Sequence, residues 1–294
     1  MAIGECMFVV TGATGQVGSA VVRTLLESGQ RVRAVVRSRE NALACERQGC
    51  EPLIADMKDA ESLQRAFSGA EGVFVMLPPL FDPSPGFPEA RQLVQNLCTA
   101  LAAAQPPRVV CLSTIGAQAS ETNLLTQLQI LEQQLSALAL PLALVRAAWF
   151  MENSAWDVAP ARDTGVIPSF LQPLDKLFPM VATADVGSTA ARLLLESWQG
   201  RSIVELEGPE RISPNEIAAT FGRLLDRDVQ MQVVPRESWE ALFRSQGMKN
   251  PMPRIRMLDG FNQGWIEFEG GSAERQKGTT NLAGVLRGLV ARAG

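Results

Sequence analysis

The 294-residue sequence contains neither histidine nor tyrosine. Without an imidazole the chain can build neither a Ser-His-Asp triad nor a Cys-His pair, so both nucleophilic mechanisms are excluded. The phenol that many enzymes use as a proton donor is missing as well. Lysine is scarce, because the sequence has only Lys58, Lys176, Lys249 and Lys277. General acid–base chemistry therefore has few residue types available.

The lack of histidine also weighs against a metal centre. Cys45 and Cys50 are close enough in sequence to share a metal ion, but no second pair follows them. Zinc sites usually draw three or four ligands from cysteine, histidine and carboxylates. The odd number and wide spacing of the cysteines (Cys6, Cys45, Cys50, Cys98 and Cys111) favour reduced thiols over a disulfide framework. We expect no metal site and a cytoplasmic location.

Positive charge is dispersed along the chain. The net charge is −4, and no basic stripe is available to neutralise a nucleic-acid backbone. The longest apolar stretch, 138–151, is interrupted by Pro141 and Arg146, so we do not expect it to span a membrane. The first residues lack the basic region and long apolar run of a targeting signal. We expect no nucleic-acid partner and no membrane association.

A glycine-rich turn is the most informative motif in the chain. It reads Thr-Gly-Ala-Thr-Gly-Gln-Val-Gly over 11–18, between an apolar strand and an amphipathic helix. This pattern is typical of a dinucleotide site, in which Gly12 allows the turn, Gly15 lets the backbone approach the pyrophosphate, and Gly18 permits close helix packing. The phosphates would face the N-terminus of the helix. The residues predicted to hold them are Gly12, Thr14, Gly15, Gln16 and Val17.

Strand-like and helix-like segments alternate over the first 150 residues. Parallel strands need helical crossovers that cover both faces of the sheet. The alternation therefore predicts an α/β fold, a Rossmann-type doubly wound parallel sheet. We assign 1–150 to an NAD(P)-binding Rossmann domain. The predicted strands are 7–10, 31–36, 52–55, 72–77, 108–112 and 142–145.

The pattern changes beyond residue 150. We predict a smaller C-terminal α/β substrate lobe over 151–294, with the chain returning to the Rossmann domain around 184–200. Segment 247–271 has no clear pattern, and surface packing is favoured over a mobile lid. The elements predicted for this part are helices at 184–198, 214–225, 236–246 and 280–291 and strands at 202–206 and 229–234.

Ligands of doubly wound sheets bind beyond the carboxyl ends of the strands. Arg37 follows the second strand, where NAD-specific proteins carry a carboxylate, and a guanidinium there suits the 2′-phosphate of NADP(H). An ordinary solvated arginine is the alternative. Asp56 after the third strand is predicted near the adenine edge. Leu77 and Pro78, after the fourth, are predicted beneath the ribose or nicotinamide. For these three residues, helix capping or loop packing is the alternative.

Several short segments at the strand ends form a distinctive combination. They are the turn at 11–18, Val35-Val36-Arg37, Asp56, Leu144-Val145-Arg146 and Trp149-Phe150-Met151-Glu152-Asn153. Together they resemble the NmrA-like family of atypical short-chain dehydrogenase/reductases over about residues 8–248, and are nearest to its quinone-reductase-like and triphenylmethane-reductase-like members. The resemblance implies a Rossmann domain that binds NADP(H). It also implies activities that range from reduction of quinones or dyes to non-enzymatic sensing of the cofactor's redox state.

The resemblance raises the question of a proton donor, because common short-chain reductases use a Tyr-x-x-x-Lys pair that this chain lacks. Ser113 and Thr114, after the fifth strand, are candidates to donate hydrogen bonds to a substrate oxygen, with loop capping as the alternative. Lys176 is a candidate proton donor. Phe150 is predicted to form part of the apolar wall of the nicotinamide pocket, and Asn153 to make a polar contact there.

Two functions from different classes stay open, with a biosynthetic isomerase or reductase as a third. One is an NADPH-dependent oxidoreductase of quinones or other conjugated aromatic electrophiles. The other is a non-enzymatic NADP(H) redox sensor that a protein partner reads. The missing Tyr-Lys pair favours the sensor. The aromatic segment 149–153 and the second lobe favour an enzyme with a small-molecule cleft, and we favour the enzyme.

Overall fold

Strands and helices alternate in the computed structural model of the protein, which describes residues 7–271 and 273–293. The strands are β1 (Met7–Thr11), β2 (Arg31–Val36), β3 (Glu51–Ile54), β4 (Gly72–Val75), β5 (Val109–Thr114), β6 (Leu142–Ala147), β7 (Trp149–Phe150), β8 (Val166–Ser169), β9 (Met180–Val181), β10 (Arg201–Glu207), β11 (Gln230–Val233) and β12 (Glu274–Lys277).

The helices cover the sheet and build the C-terminal part of the molecule. They are α1 (Gln16–Glu27), α2 (Arg39–Arg47), α3 (Ala60–Phe67), α4 (Pro88–Ala104), α5 (Thr126–Ser136), α6 (Val158–Asp163), α7 (Thr183–Leu195), α8 (Pro214–Leu225), α9 (Trp239–Ser245), α10 (Met252–Gln263) and α11 (Leu282–Ala293). Short 3₁₀ helices occupy Met151–Asp157 and Arg236–Ser238.

Eight of the strands form one sheet in the order β12-β10-β6-β5-β4-β1-β2-β3. Every neighbouring pair in this sheet is parallel. The chain leaves β1 toward β2 on one side and returns to β4 on the other, which defines the topological switch point of a doubly wound fold. The predicted Rossmann-type parallel sheet is therefore confirmed.

The core lies on both faces of this sheet. Phe8 and Val10 of β1 belong to one apolar cluster, whereas Val9 belongs to another, because successive side chains of a strand point to opposite faces. Helices α1 and α7 cover the first face, and α3, α4 and α5 cover the second. Helices α1 and α7 approach so closely that a Cβ at Gly187 would lie 2.4 Å from the Cβ of Ala20.

The strand predicted at 202–206 for the smaller lobe lies in the large sheet instead. It forms β10, which pairs with β6, and β12 then adds an eighth strand that the sequence did not reveal. The smaller lobe contains a two-stranded parallel sheet formed by β8 and β11. From the sequence, a strand was predicted at 229–234 but none at the position of β8. Helix α8 has the predicted range 214–225, and Ser213 caps its N-terminus: the Ser213 hydroxyl accepts from the Glu216 N–H, while the Glu216 carboxylate accepts from the Ser213 N–H. The domain boundary at residue 150 stays a prediction.

Segment 247–271 is better ordered than the sequence suggested, because α10 lies within it. Ile255, Leu258 and Phe261 of this helix are buried. The sequence pattern did not predict this helix, because two prolines and a glycine-rich end masked it, and its apolar face packs into the core. The helix predicted at 236–246 starts as a 3₁₀ turn and becomes α-helical only at Trp239. No helix within the described ranges is long and apolar enough to cross a membrane.

Asp157 provides a test of this packing through its titration. It ends the 3₁₀ helix that packs against α11, and burial raises its pKa to about 7 although a hydrogen bond to Ser154 opposes the shift. The aspartate carboxyl of an unfolded chain has a pKa of about 3.9. The folded protein therefore binds this proton more tightly than the unfolded chain, so the associated stability is complete below about pH 4 and is lost as the pH rises through about 7.

We predict that Asp157→Asn raises the free energy of unfolding at pH 8 by about 1–3 kcal/mol and changes it little at pH 4. Urea unfolding of both proteins at the two pH values measures the difference. Asp163→Asn, at the exposed end of α6 beside Arg162, is the control for removal of a surface carboxylate from the same region. An equal effect of Asp157→Asn at both pH values would contradict the assignment.

Candidate functional site

The turn after β1 has the geometry that its glycines predict. Gly12 has φ +64°, a left-handed conformation that favours glycine, and its carbonyl accepts the Gly15 N–H at 2.9 Å. A Cβ at Gly12 would lie 2.7 Å from the sulfur of Met76, just beyond β4. The turn therefore passes directly over the switch point between β1 and β4.

Gly18 fixes helix α1 against this turn. A Cβ at Gly18 would lie 2.1 Å from the Gly12 carbonyl oxygen, a distance that no side chain tolerates. Gly15 differs, because its Cβ would meet only the same oxygen at 3.3 Å and its φ of −84° suits any residue. Gly18 is thus needed for packing, whereas the surface above Gly15 is open.

No side chain within residues 7–271 and 273–293 caps the N-terminus of α1. The first turn of the helix carries no acidic residue. The first N–H groups of any α-helix lack intrahelical partners and lie at the positive end of its dipole. Thr14, Gly15 and Gln16 are exposed and Val17 is buried. This open cradle fits a phosphate or pyrophosphate.

Arg37 and Ser38, which directly follow β2, differ in their contacts. Ser38 caps α2 by accepting the Asn41 N–H at 3.3 Å. Arg37 is exposed, and within the described residues its guanidinium has no hydrogen bond or ion pair. It contrasts with Arg33, which donates to the carbonyl of Ala66 at 2.8 Å. Arg37 is therefore available to an anion next to the glycine-rich turn.

Asp56, Leu77 and Pro78 lie beyond β3 and β4 as predicted from the strand ends. The Asp56 carboxylate accepts the Lys58 N–H at 2.9 Å and so stabilises its own turn, while Asp59 is the residue that caps α3. Leu77 is half-buried and Pro78 is exposed. Their contacts with a cofactor stay predictions.

The two hydroxyls at the end of β5 are engaged within the protein. Ser113 is buried and donates to Glu132 Oε1 of α5 at 2.5 Å. Thr114 donates to the carbonyl of Ile115 at 3.1 Å. A hydrogen bond from Ser113 to a substrate would require its contact with Glu132 to open. The catalytic roles of both residues stay predictions.

Lys176, in the segment between β8 and β9, contacts the C-terminus of α10. Its Nζ donates to the carbonyl oxygens of Phe261 and Asn262, each at 2.8 Å, and lies 5.4 Å from the ring centroid of Phe178. These last-turn carbonyls have no intrahelical donor, so the ammonium caps the helix and complements its dipole. Proton donation by Lys176 stays a prediction, and the lysine has a structural role in any case.

Aromatic side chains follow β6. Trp149 meets Phe261 of α10 edge to face, with 5.1 Å between ring centroids. Trp149 and Phe150 are half-buried and pair as β7 with β9, and Asn153 is exposed on the following turn. The predicted apolar wall thus has partly accessible rings beyond the carboxyl end of β6.

The sequence reasoning missed a buried charge network beside these residues. Arg146 donates to both oxygens of Glu132, at 2.9 and 2.7 Å, and to Glu269 at 2.5 Å. Burial alone would lower the pKa of Arg146, but its bonds to the two carboxylates raise that pKa above its ordinary value. A charged residue inside the apolar run 142–147 was the signal that could have revealed it.

No arrangement of metal ligands is found in the part of the chain that the structure describes. Cys45 and Cys50 lie close together because α2 ends in a Schellman motif. In that motif the Cys50 N–H donates to the Cys45 carbonyl at 3.0 Å and the Gly49 N–H to the Glu46 carbonyl at 2.9 Å. Both thiols are buried, and burial raises the pKa of each. Cys6 lies outside the described residues.

A cleft of about 210 Å³ opens between the loop after β4 and the start of α10. None of the predicted site residues lines it. Its walls include Ser84, Phe87, Thr122, Asn250, Met252 and Arg256.

The sheet order arranges the predicted residues along one edge. The turn after β1, Arg37, Asp56 and Leu77 follow the adjacent strands β3-β2-β1-β4, and Ser113 and Phe150 follow β5 and β6. Such an edge, with a glycine-rich turn at the switch point, defines a dinucleotide-binding α/β protein. More specifically, the chain belongs to the NmrA-like family, whose model matches residues 6–263.

Two curated relatives align over much of the chain. NAD(P)H azoreductase of Xenophilus azovorans and quinone oxidoreductase 2 of Escherichia coli (strain K12) are each 25% identical over 244 residues, 82% of this chain and 82% of each relative.

Solved structures share the fold over nearly the whole chain. The NADPH complex of the Escherichia coli NADPH-dependent quinone oxidoreductase superposes with a TM-score of 0.78 and 22% identity over 98% of this chain and 100% of that chain. The NADP(H) complex of Citrobacter sp. triphenylmethane reductase superposes with a TM-score of 0.77 and 20% identity over 98% of this chain and 99% of that chain.

Replacement of Gly15 tests the phosphate cradle. We predict that Gly15→Val keeps the fold, because the backbone conformation suits any residue, and abolishes NADPH binding, because the side chain would occupy the open surface above the turn. Fluorescence titration with NADPH measures the binding. Gly288→Val is the control, since its added carbon would meet only Arg292, at 3.6 Å. Native affinity in Gly15→Val would show that the cradle is elsewhere.

Arg37 tests the cofactor preference. We predict tighter binding of NADPH than NADH, and loss of most of this difference in Arg37→Ala, a change of about 1.5–3 kcal/mol for one charge-assisted contact. Titration of both cofactors against both proteins decides it. Arg23→Ala, exposed on α1, should retain the preference. Equal affinities of the unmodified protein for NADPH and NADH would refute the assignment.

Proposed function

We propose that this protein is an NADPH-dependent oxidoreductase that reduces quinones or other conjugated aromatic electrophiles. The observation that carries the proposal is the N-terminus of α1 behind the turn at Gly12, where no described side chain caps the helix, together with Arg37 at the end of the next strand, which has no partner among residues 7–271 and 273–293. This arrangement suits a pyrophosphate and a 2′-phosphate. The names of the azoreductase and quinone oxidoreductase relatives support the same class of reaction.

NADPH would supply a hydride, and the protein would hold NADPH and the acceptor in a fixed relative position. The N–H groups of Gln16 and Val17 would hold the pyrophosphate, and Arg37 would hold the 2′-phosphate. The half-buried rings of Trp149 and Phe150 would exclude water on the acceptor side and stack on a flat substrate. Fixing two reactants in this way removes much of the entropic part of the barrier.

The proton-bearing side chains restrict which acceptors can react. Ser113 donates to Glu132 and Lys176 caps α10, so neither points a free proton toward an acceptor. A quinone accepts a hydride to give a weakly basic hydroquinone anion that water can protonate. A simple ketone gives an alkoxide that needs a proton at once. Quinones and similar acceptors therefore suit this chain better than ketones do.

The same engagement of Ser113 and Lys176 favours a second candidate, a non-enzymatic NADP(H) sensor. Such a protein needs the cradle and Arg37 but no proton donor. Turnover distinguishes the two functions.

We predict that the protein oxidises NADPH with 1,4-naphthoquinone or a triarylmethane dye but not with cyclohexanone. Its rate should be nearly flat from about pH 6 to 8, because no histidine-like acid takes part. Absorbance of NADPH follows the reaction, and Gly15→Val is the inactive control. Tight NADPH binding without turnover of any acceptor would favour the sensor. Efficient ketone reduction would reveal a missed proton donor, with Lys176→Met the first variant to test.

A further inference from the structure

Glu152 belongs to the aromatic segment 149–153, but its side chain caps a helix in another part of the chain. Both carboxylate oxygens accept the Thr183 N–H, each at 3.0 Å, and Oε1 also accepts the Thr183 hydroxyl at 2.7 Å. Thr183 is the first residue of α7, and the residue before it, Ala182, makes no side-chain cap. A helix is usually capped by the residue at its own N-terminus. The cap of α7 instead comes from the segment that is predicted to contact the nicotinamide.

Backbone pairing holds only the first part of this segment. Trp149 and Phe150 pair with β9 over two residues, and the chain then enters the 3₁₀ helix that begins at Met151. Met151 is buried, whereas Asn153 is exposed. The bonds of Glu152 therefore tie the chain to α7 at the point where the strand pairing ends.

Helix α7 packs in turn on the helix that begins at the phosphate cradle. A Cβ at Gly187 would lie 2.4 Å from the Cβ of Ala20 and 2.9 Å from its carbonyl carbon, so the backbones of α7 and α1 are in direct contact. The far end of α7 is held by Arg108, which donates to the carbonyls of Leu194 and Glu196 at 2.8 and 2.7 Å. With contacts at its start, at this crossing and at its end, α7 has one position relative to α1.

The two helices run in the same direction. Arg108 directly precedes β5, so α7 ends at the edge of the sheet where the strands begin, and α1 also runs from the end of β1 to that edge. Ala20 and Gly187 each lie four residues from the start of their helix, about one turn. The start of α1, which forms the phosphate cradle, and the start of α7, which Glu152 caps, are therefore side by side at the carboxyl edge of the strands.

We propose that Glu152 is a positioning residue for the nicotinamide half of NADPH. By bonding Thr183, it fixes segment 149–153 relative to the phosphate cradle and so determines where the ring lies against Phe150 and Asn153. Glu152 acts through α7 and takes no part in hydride transfer. The proposal rests on the NADPH-dependent function argued above and adds to it the residue that aligns the hydride donor. Alignment matters because a small misplacement of the reacting groups lowers the rate strongly.

A binding experiment without turnover tests this role. The affinity for adenosine 2′,5′-bisphosphate reports the adenine half of the cofactor site, and the change in nicotinamide fluorescence on NADPH binding reports the surroundings of the ring. For Glu152→Ala, the affinity for the bisphosphate should stay within about twofold, whereas the fluorescence change at saturating NADPH should fall by roughly half or more, because the segment around the ring loses its attachment. Glu152→Gln keeps one oxygen that can accept from Thr183 and should lie between the two proteins.

Thr183→Val tests whether Glu152 acts through α7. It removes the hydroxyl and keeps the branched shape of the side chain. It should reduce the fluorescence change in the unmodified protein but have no further effect in Glu152→Ala, because substitutions within one hydrogen-bonded unit are not additive. Fully additive effects of the two substitutions would contradict the proposed route.

Ser213→Ala is the matched control, since it removes the cap of another helix, α8. It should lower the thermal unfolding midpoint, as Glu152→Ala should, and leave the fluorescence change as it is. The positioning role is disproved if Glu152→Ala lowers only the midpoint, if it weakens bisphosphate binding to the same degree, or if Ser213→Ala also reduces the fluorescence change. It is disproved as well if NADPH fluorescence does not change when the unmodified protein binds it.

Turnover separates this proposal from the proposed function. With 1,4-naphthoquinone, kcat of Glu152→Ala should fall about tenfold or more while the KM for the quinone stays within about twofold, and Ser213→Ala should retain both values. If no acceptor is reduced but the fluorescence change is present and diminished in Glu152→Ala, the reductase function is wrong and the positioning role stands. If quinones are reduced and Glu152→Ala matches Ser213→Ala in kcat and in fluorescence, the positioning role is wrong and the reductase function stands.

Discussion

The buried ion pair between Arg146 and Glu132 is the interaction on which the part of the candidate site at the ends of β5 and β6 depends. It joins the middle of the sheet, at β6, to helix α5, and both side chains are almost fully buried. Its net contribution to stability is small, because both charges were taken out of water to form it. Removal of either partner, however, would leave the other charge buried and would cost about 3–5 kcal/mol. The pair thus fixes one arrangement of α5 against the sheet.

Residues in register with Arg146 on the two neighbouring strands continue the polar contacts of this pair across the strand ends. Ser113, Arg146 and Glu205 are direct neighbours on β5, β6 and β10. Glu205 accepts the backbone N–H groups of Glu269 and Gly270 at 2.6 and 3.2 Å, while the Glu269 side chain binds Arg146. The chain after α10 is therefore anchored across this edge of the sheet. The same bonds that hold the edge also engage the Ser113 hydroxyl, so structural order there reduces the supply of free proton donors.

What could be predicted from the sequence depends on the range of the interactions involved. The turn at Gly12 and the cap at Ser213 are local, since each is specified within a few residues, and both match the structure. The place of β10 depends on pairing with β6, about sixty residues earlier, and no local pattern encodes that register. Helix α10 was hidden because Pro251 and Pro253 mimic a loop, although proline is well tolerated in a first helical turn.

Among the site residues, sequence reasoning identified those at strand ends and missed those that act through packing. Arg37 was predicted from its position at the end of β2, and its contact with a cofactor stays a prediction. The pairing of Arg146 was missed because its two carboxylate partners, Glu132 and Glu269, lie 14 and 123 residues away in the chain and meet it only in the folded molecule.

The engagement of the candidate proton donors in structural contacts has a consequence for specificity. An enzyme with a tyrosine or histidine acid can select substrates at the reacting atom, by the proton that it delivers. With Ser113 and Lys176 held in structural contacts, this chain would have to select through features remote from the reacting atom. Binding energy from a remote group can orient the reacting centre, so contacts with the rest of the acceptor would contribute to the rate as well as to affinity. For this reason the substituents of the acceptor are a more informative variable than its intrinsic reactivity.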